Sequence, residues 1–144
     1  VGGGRSGTRV DEALLRHLQG IFADLGAITE TVLFPANRQE SLVVTFETAA
    51  YPDDIETVRL EVRAYVSGDF HITYYERYLG ERRQCRWDRH DQPHNSRDHF
   101  HPLPAASSAD AVDREFPRDV TQVLRRHVLP WVGDRLGDLW QNER

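Results

Sequence analysis

The sequence predicts an α+β fold, a five-stranded antiparallel meander sheet with an N-terminal helix and C-terminal helices packed on one face. Three observations predict it. Apolar residues recur at helical spacing near both ends, at Leu14, Leu18, Ile21, Phe22 and Leu25 and again from Val120 to Leu139. Between them the period falls to two, most plainly where Val58, Leu60, Val62 and Ala64 alternate with Arg59, Glu61 and Arg63. The links between these strands are short turns, and a parallel crossover needs about a dozen residues, so consecutive strands must pair antiparallel.

The elements follow in order. Residues 1–8 read as a flexible Gly-rich tail, and residues 9–144 as a single α+β domain. Gly2, Gly4 and Gly7 have the G-x-G-x-x-G spacing, but no strand precedes them, so a phosphate loop lacks its context. A helix is expected over 9–25, capped by Thr8, with Asp11 and Glu12 at its positive end and Gly26 stopping it. Strands are expected at Ile28–Phe34, Leu42–Thr48, Val58–Val66, Phe70–Leu79 and Arg83–Asp88, punctuated by turn residues such as Ser67-Gly68-Asp69 and Gly80. Residues 89–108 have no period and read as a polar loop rich in His and Arg. Ser107 or Ser108 is placed to cap a short helix through Glu115, and Pro117 suits the first turn of the next one. Pro130 lacks an N–H and should disturb that helix near Arg126.

Bulk composition excludes more than it identifies. With 144 residues, 39% hydrophobic and 28% charged, the chain is neither collagen-like, low-complexity nor fully disordered. A net charge of −5 and a pI near 5.8 argue against a generic polyanion binder. The charge is uneven, however. Arg82, Arg83, Arg86, Arg89 and Arg97 face only Asp88, Asp91 and Asp98 within residues 82–101. All 18 basic residues are Arg, and codon bias accounts for those spread along the strands and helices. Cys85 stands alone, so no internal disulfide forms, which fits a reducing cytoplasm. No apolar run approaches the ~20 residues of a membrane span, and the N-terminus lacks the apolar core of a signal peptide. The expectation is a cytoplasmic protein without membrane contact.

The stretch from Cys85 to His101 carries the chemistry. Four of the seven His fall between His90 and His101. Imidazole accepts or donates protons near neutral pH and binds metals. One reading is a metal-independent ribonuclease. Phosphodiester cleavage needs a base near the 2′-hydroxyl, an acid near the leaving oxygen and cations on the phosphate. His94, His99 and His101 have the chemistry of acid and base, and Asp88 of an orienting carboxylate. Arg86, Arg89 and Arg97 can grip phosphate, while Trp87, Tyr74 and Tyr75 can stack bases. No cofactor is required. A second reading is a metal-dependent hydrolase holding a divalent ion through His90, His94, His99 and His101, although H-E-x-x-H and paired C-x-x-C motifs are absent. The third is a non-catalytic interaction module, with Trp131 and Trp140 on a docking helix. Its plainest form makes Asp88 and Arg89 surface salt bridges and Trp87 and Cys85 core residues. His71 shares a strand face with Thr73, Tyr75 and Arg77 and is a secondary candidate.

Arg86-Trp87-Asp88, then Pro93-His94, then His99-Phe100-His101 resembles the signature of the TumE-like toxins of type II toxin–antitoxin pairs. The likeness covers about residues 27–101, and the helices from Ser108 to Trp140 carry no part of it. The resemblance implies a small toxin neutralised by a cognate antitoxin, often one with a DNA-binding domain. It also implies a nucleic-acid or translation-related target. On this basis RNA is the expected substrate, with His99 and His101 as the acid/base pair, Arg86 and Arg89 on phosphate, and Asp88 orienting a His or Arg.

Overall fold

The computed structural model describes residues 9–90 and 98–142. The Gly-rich tail, His94 and Arg97 lie outside the described residues. The expected architecture holds in outline: an N-terminal helix, an antiparallel sheet and C-terminal helices. The sheet has seven strands rather than five, in the order β1-β2-β3-β4-β5-β6-β7. These are β1 (Ile28–Phe34), β2 (Ser41–Phe46), β3 (Ile55–Ala64), β4 (Phe70–Tyr78), β5 (Glu81–Arg89), β6 (Asp98–His101) and β7 (Val112–Asp113). Every neighbouring pair is antiparallel, as the short links require.

Helix α1 (Glu12–Ala23) starts later than expected. Asp11 caps it, accepting a hydrogen bond from the Leu14 N–H at 3.1 Å. The residues before it are extended instead. Val10 bridges Tyr65, and the Asp11 N–H donates to the Ala64 carbonyl. Leu15, Leu18 and Phe22 then face the sheet. The β4–β5 link is a two-residue hairpin with Leu79 at φ 50° and Gly80 at φ 80°. Positive φ at both positions matches the twist of the flanking strands, and glycine adopts it without steric cost.

The two extra strands correct the expected loop. Within 89–108, residues 98–101 pair with β5 in the register Arg89↔Asp98, Asp88↔His99, Trp87↔Phe100 and Arg86↔His101. The strand alternates normally, but one inward position is Asp98, a polar residue paired within the protein. Apolar periodicity therefore cannot detect it. The expected helix ending at Glu115 reduces to a single 3₁₀ turn, Ser108–Asp110, capped by Ser107, followed by β7.

The C-terminal part begins with α2 (Val120–Val123), capped by Asp119 rather than opening near Pro117. A π-helical segment, Leu124–Val128, joins it to α3 (Leu129–Asn142). The disturbance falls where Pro130 predicts it. The proline cannot donate to Arg126, and the Leu129 N–H bonds to the Leu124 carbonyl in a wider turn.

The helices are spent on one face. Leu42, Val44, Leu60, Val62, Phe70, Ile72, Tyr74, Cys85 and Trp87 point toward them and form one core with Leu15, Phe22, Val123, Val128 and Val132. The opposite face of β3, β4 and β5 carries Arg59, Glu61, Arg63, His71, Tyr75, Arg77, Arg82 and Arg86. No described helix is long and apolar enough to cross a membrane.

Candidate functional site

Period-two geometry sorts the expected site residues onto two faces of the sheet. Asp88 and Arg89 are neighbours in sequence and therefore point to opposite sides. His71, Asp88 and His99 lie across β4, β5 and β6 in direct register, with Thr73, Arg86 and His101 beside them on the same open face. Strand spacing places the backbones of His71 and His99 roughly 10 Å apart with Asp88 between them.

Asp88 is the centre of this group. Its Oδ1 accepts from His71 Nδ1 at 2.8 Å. Its Oδ2 accepts from Arg86 Nε at 2.8 Å and faces His101 Nε2 at 3.0 Å. Burial pushes the Asp88 carboxyl up. Hydrogen bonds from His71 and Arg86, and their positive charge, outweigh that and hold it below the ordinary carboxylate range. The carboxylate thus stays ionised and fixes three cationic or polar groups around it.

The three imidazoles differ in access. His101 is buried, and its second ring nitrogen lies 3.4 Å from the Ser107 carbonyl, so oxygens face both nitrogens. His99 Nε2 lies 3.4 Å from Asp113. The His71 side chain is 36% exposed and gives Nδ1 to Asp88, so in the neutral ring Nε2 carries the lone pair. His90, at the end of β5, sits between them, its ring centroid 6.2 Å from His71 and 6.3 Å from His99.

Other expected site residues lie elsewhere. Arg89 is not available to phosphate. It forms a buried fork with Asp98 at 2.8 and 3.0 Å and donates to the carbonyls of Phe116, Pro117 and Arg118. Trp87 is core, not a base platform, with Phe100 and Trp131 against its ring. Trp131 is half-buried and packs edge-on against Tyr74, whose burial removes Tyr74 from base stacking. Trp140 is exposed and donates to the Ala50 carbonyl. Asp88 is not a surface salt bridge. Tyr75 remains on the open face beneath Arg82. Among the described residues, no three His, Cys, Asp or Glu side chains are grouped to hold a metal ion.

A wide cleft of about 730 Å³ opens near the Arg89–Asp98 pair, bounded by Ser67, Gly68, Arg114 and Arg118. Arg89 and Asp98 pair with each other and with backbone groups there, whereas the open face leaves His71 and Arg86 partly exposed. The residue that motif reading undervalues is His71. It stands outside the His-rich stretch, and only the strand alternation that sets it opposite Phe70 and Ile72 points to it.

No curated protein and no solved structure matches the chain significantly. The family model described as toxin TumE matches residues 18–136. That span holds the open-face cluster and extends through Ser108 and most of α3, beyond the stretch that carried the resemblance. The chain belongs to the toxin TumE family.

Proposed function

We propose that this toxin acts on RNA, as a metal-independent ribonuclease whose site is the open-face cluster around Asp88. The carrying observation is that one buried carboxylate holds His71 and Arg86 on a sheet face that the helices leave uncovered. An Asp–His pair fixes the tautomer of the imidazole and supports the charge that forms when it takes a proton.

His71 is the base in this reading. Its Nε2 takes the proton of a 2′-hydroxyl, the freed oxygen bonds to the adjacent phosphorus, and the bond to the 5′-oxygen breaks. The 5′-oxygen takes a proton from a protonated His99 across the site. The products are a 2′,3′-cyclic phosphate end and a 5′-hydroxyl end. Arg86 holds the phosphate oxygens with the guanidinium nitrogens that Asp88 does not use. His101 is a positioning residue, fixing Asp88 from the buried side. The cognate antitoxin, in this reading a DNA-binding protein, silences the site by binding the toxin.

The test is expression in cells of wild type, His71→Gln and His99→Gln, with growth and total RNA followed. Circular dichroism establishes that each variant folds. Wild type should arrest growth and degrade RNA, and each variant should lose most of both effects. Intact RNA during arrest by wild type, or a folded His71→Gln as toxic as wild type, rejects the mechanism.

A further inference from the structure

We infer that the same open face carries a second, anchoring subsite for single-stranded RNA, built by Arg59, Arg77 and Arg82 around Tyr75. The inference rests on the RNA reading of the Asp88 cluster and extends its substrate from a single phosphodiester to an oligonucleotide. Arg77 and Arg82 stand directly opposite each other on β4 and β5. Like charges so placed destabilise a sheet, a cost of the kind that functional surfaces carry, and a bound anion would relieve it. Elsewhere on this face Arg63 pairs with Glu61 and Arg86 with Asp88. Arg59, Arg77 and Arg82 have no carboxylate partner among the described residues.

Geometry narrows the ligand. The Arg82 guanidinium lies over the Tyr75 ring at 4.4 Å from its centroid, and that of Arg59 at 5.7 Å. Thr57, Arg59, Tyr75, Glu76, Arg77 and Arg82 line a shallow pocket of about 150 Å³, and the buried Glu76 carboxylate is taken up by Arg83 and Arg135. Guanidinium forks bind phosphate, and bases stack on aromatic rings and guanidinium planes. An acidic peptide would satisfy the charges but would leave this stacking platform without a planar partner. Tyr75 lies four residues along β4 from His71, a run of roughly 13 Å. Arg82 and Arg86 are likewise four apart on β5. A mononucleotide cannot reach both places, whereas an oligonucleotide laid along the strands can. The anchoring phosphates then sit over Arg77 and Arg82 while a phosphodiester farther along the chain sits at Asp88.

The probe is a labelled, mixed-sequence oligonucleotide of about ten units, methylated at every 2′-oxygen so that it cannot be cleaved. Its binding to wild type, to Arg77→Ala/Arg82→Ala and to Tyr75→Leu is followed by fluorescence anisotropy over a salt series. The double variant should bind about tenfold weaker or worse, with a log–log salt slope shallower by about 1.4, since each lost contact to a single strand removes about 0.7. Tyr75→Leu should weaken binding about tenfold without changing the slope. The melting point of Arg77→Ala should equal or exceed that of wild type. If wild type binds the probe and the double variant binds it with the same affinity and slope, the subsite is wrong and the Asp88 reading stands. If wild type binds no probe and cellular RNA stays intact, both fall. A double variant that keeps RNA binding but no longer co-purifies with the antitoxin makes the patch a protein-docking surface and overturns the inference.

Discussion

The two faces of β4 and β5 hold similar ion pairs under opposite conditions. On the helix-covered face, Glu76 sits among Arg135, Arg83 and Tyr74, and Arg89 sits against Asp98. On the open face, Asp88 gathers Arg86, His71 and His101. All three carboxylates are nearly inaccessible. Their partners are not alike, since the His71 side chain is 36% exposed and that of Arg89 only 8%. The same pairing chemistry therefore serves packing on one side and holds partly exposed imidazole and guanidinium groups on the other. Because Asp88 and Arg89 are consecutive, one strand supplies a central residue to each face.

Breaking the closed side should give the largest effect on stability. Arg89→Ala leaves Asp98 buried without its cation, and frees the carbonyls of Phe116 and Pro117. Removing one member of such a pair costs about 3–5 kcal/mol. Urea unfolding should show that loss and, because Arg89 ties β5 to the residues before α2, loss of toxicity with it. A folded Arg89→Ala within ~1 kcal/mol of wild type would mean the pair is screened as a surface pair is.

The face assignment was more legible than the strand ends. Alternation in Val58–Ala64 and Phe70–Tyr78 identifies both faces and sets His71 with Tyr75. Ending β5 at Asp88 hides the position of Arg89, because a loop residue there would be free to meet phosphate. One more residue of strand turns it into the core. The same limit hides β6, because Asp98 occupies an inward position, its charge held by the Arg89 fork across the strand and by the Phe116 N–H. The Glu76 network left a trace in the pattern. A carboxylate on the Phe70, Ile72, Tyr74 face calls for a cation, and α3 supplies Arg135 from 59 residues away. Local spacing carries no information about that distance.

Acid titration sharpens the comparison at a smaller scale. Burial pushes the Glu76 carboxyl up, but hydrogen bonds from Arg135 and Tyr74 and the charges of Arg135 and Arg83 hold it below its ordinary range, as His71 and Arg86 do for Asp88. A carboxyl lowered on folding adds stability that is complete above its unfolded value, near pH 4, and is lost as the pH falls through the folded value. Wild type should therefore lose stability steeply on the acid side of about pH 4. Glu76→Gln and Asp88→Asn should each flatten that fall while costing about 1–3 kcal/mol at neutral pH. Added salt should shrink the Asp88→Asn effect more than the Glu76→Gln effect, because exposed partners are screened and sealed ones much less so. Equal salt responses would erase the distinction between the faces.

Cys85 gives the mildest prediction and isolates the closed face from chemistry. It alternates with Arg86 and lies on the helix side, fully buried beside the Glu76 network. Burial, reinforced by the negative charge of Glu76, pushes its thiol far up from the ordinary range. The thiolate, which is the nucleophilic form, is therefore scarce at any working pH. Cys85→Ala removes one buried sulfur at a cost of about 1 kcal/mol. It should leave toxicity at the wild-type level, and the native protein should resist alkylation until it unfolds. Rapid alkylation of the folded chain, or loss of toxicity in a stable Cys85→Ala, would mean that the closed face opens during the toxin's action.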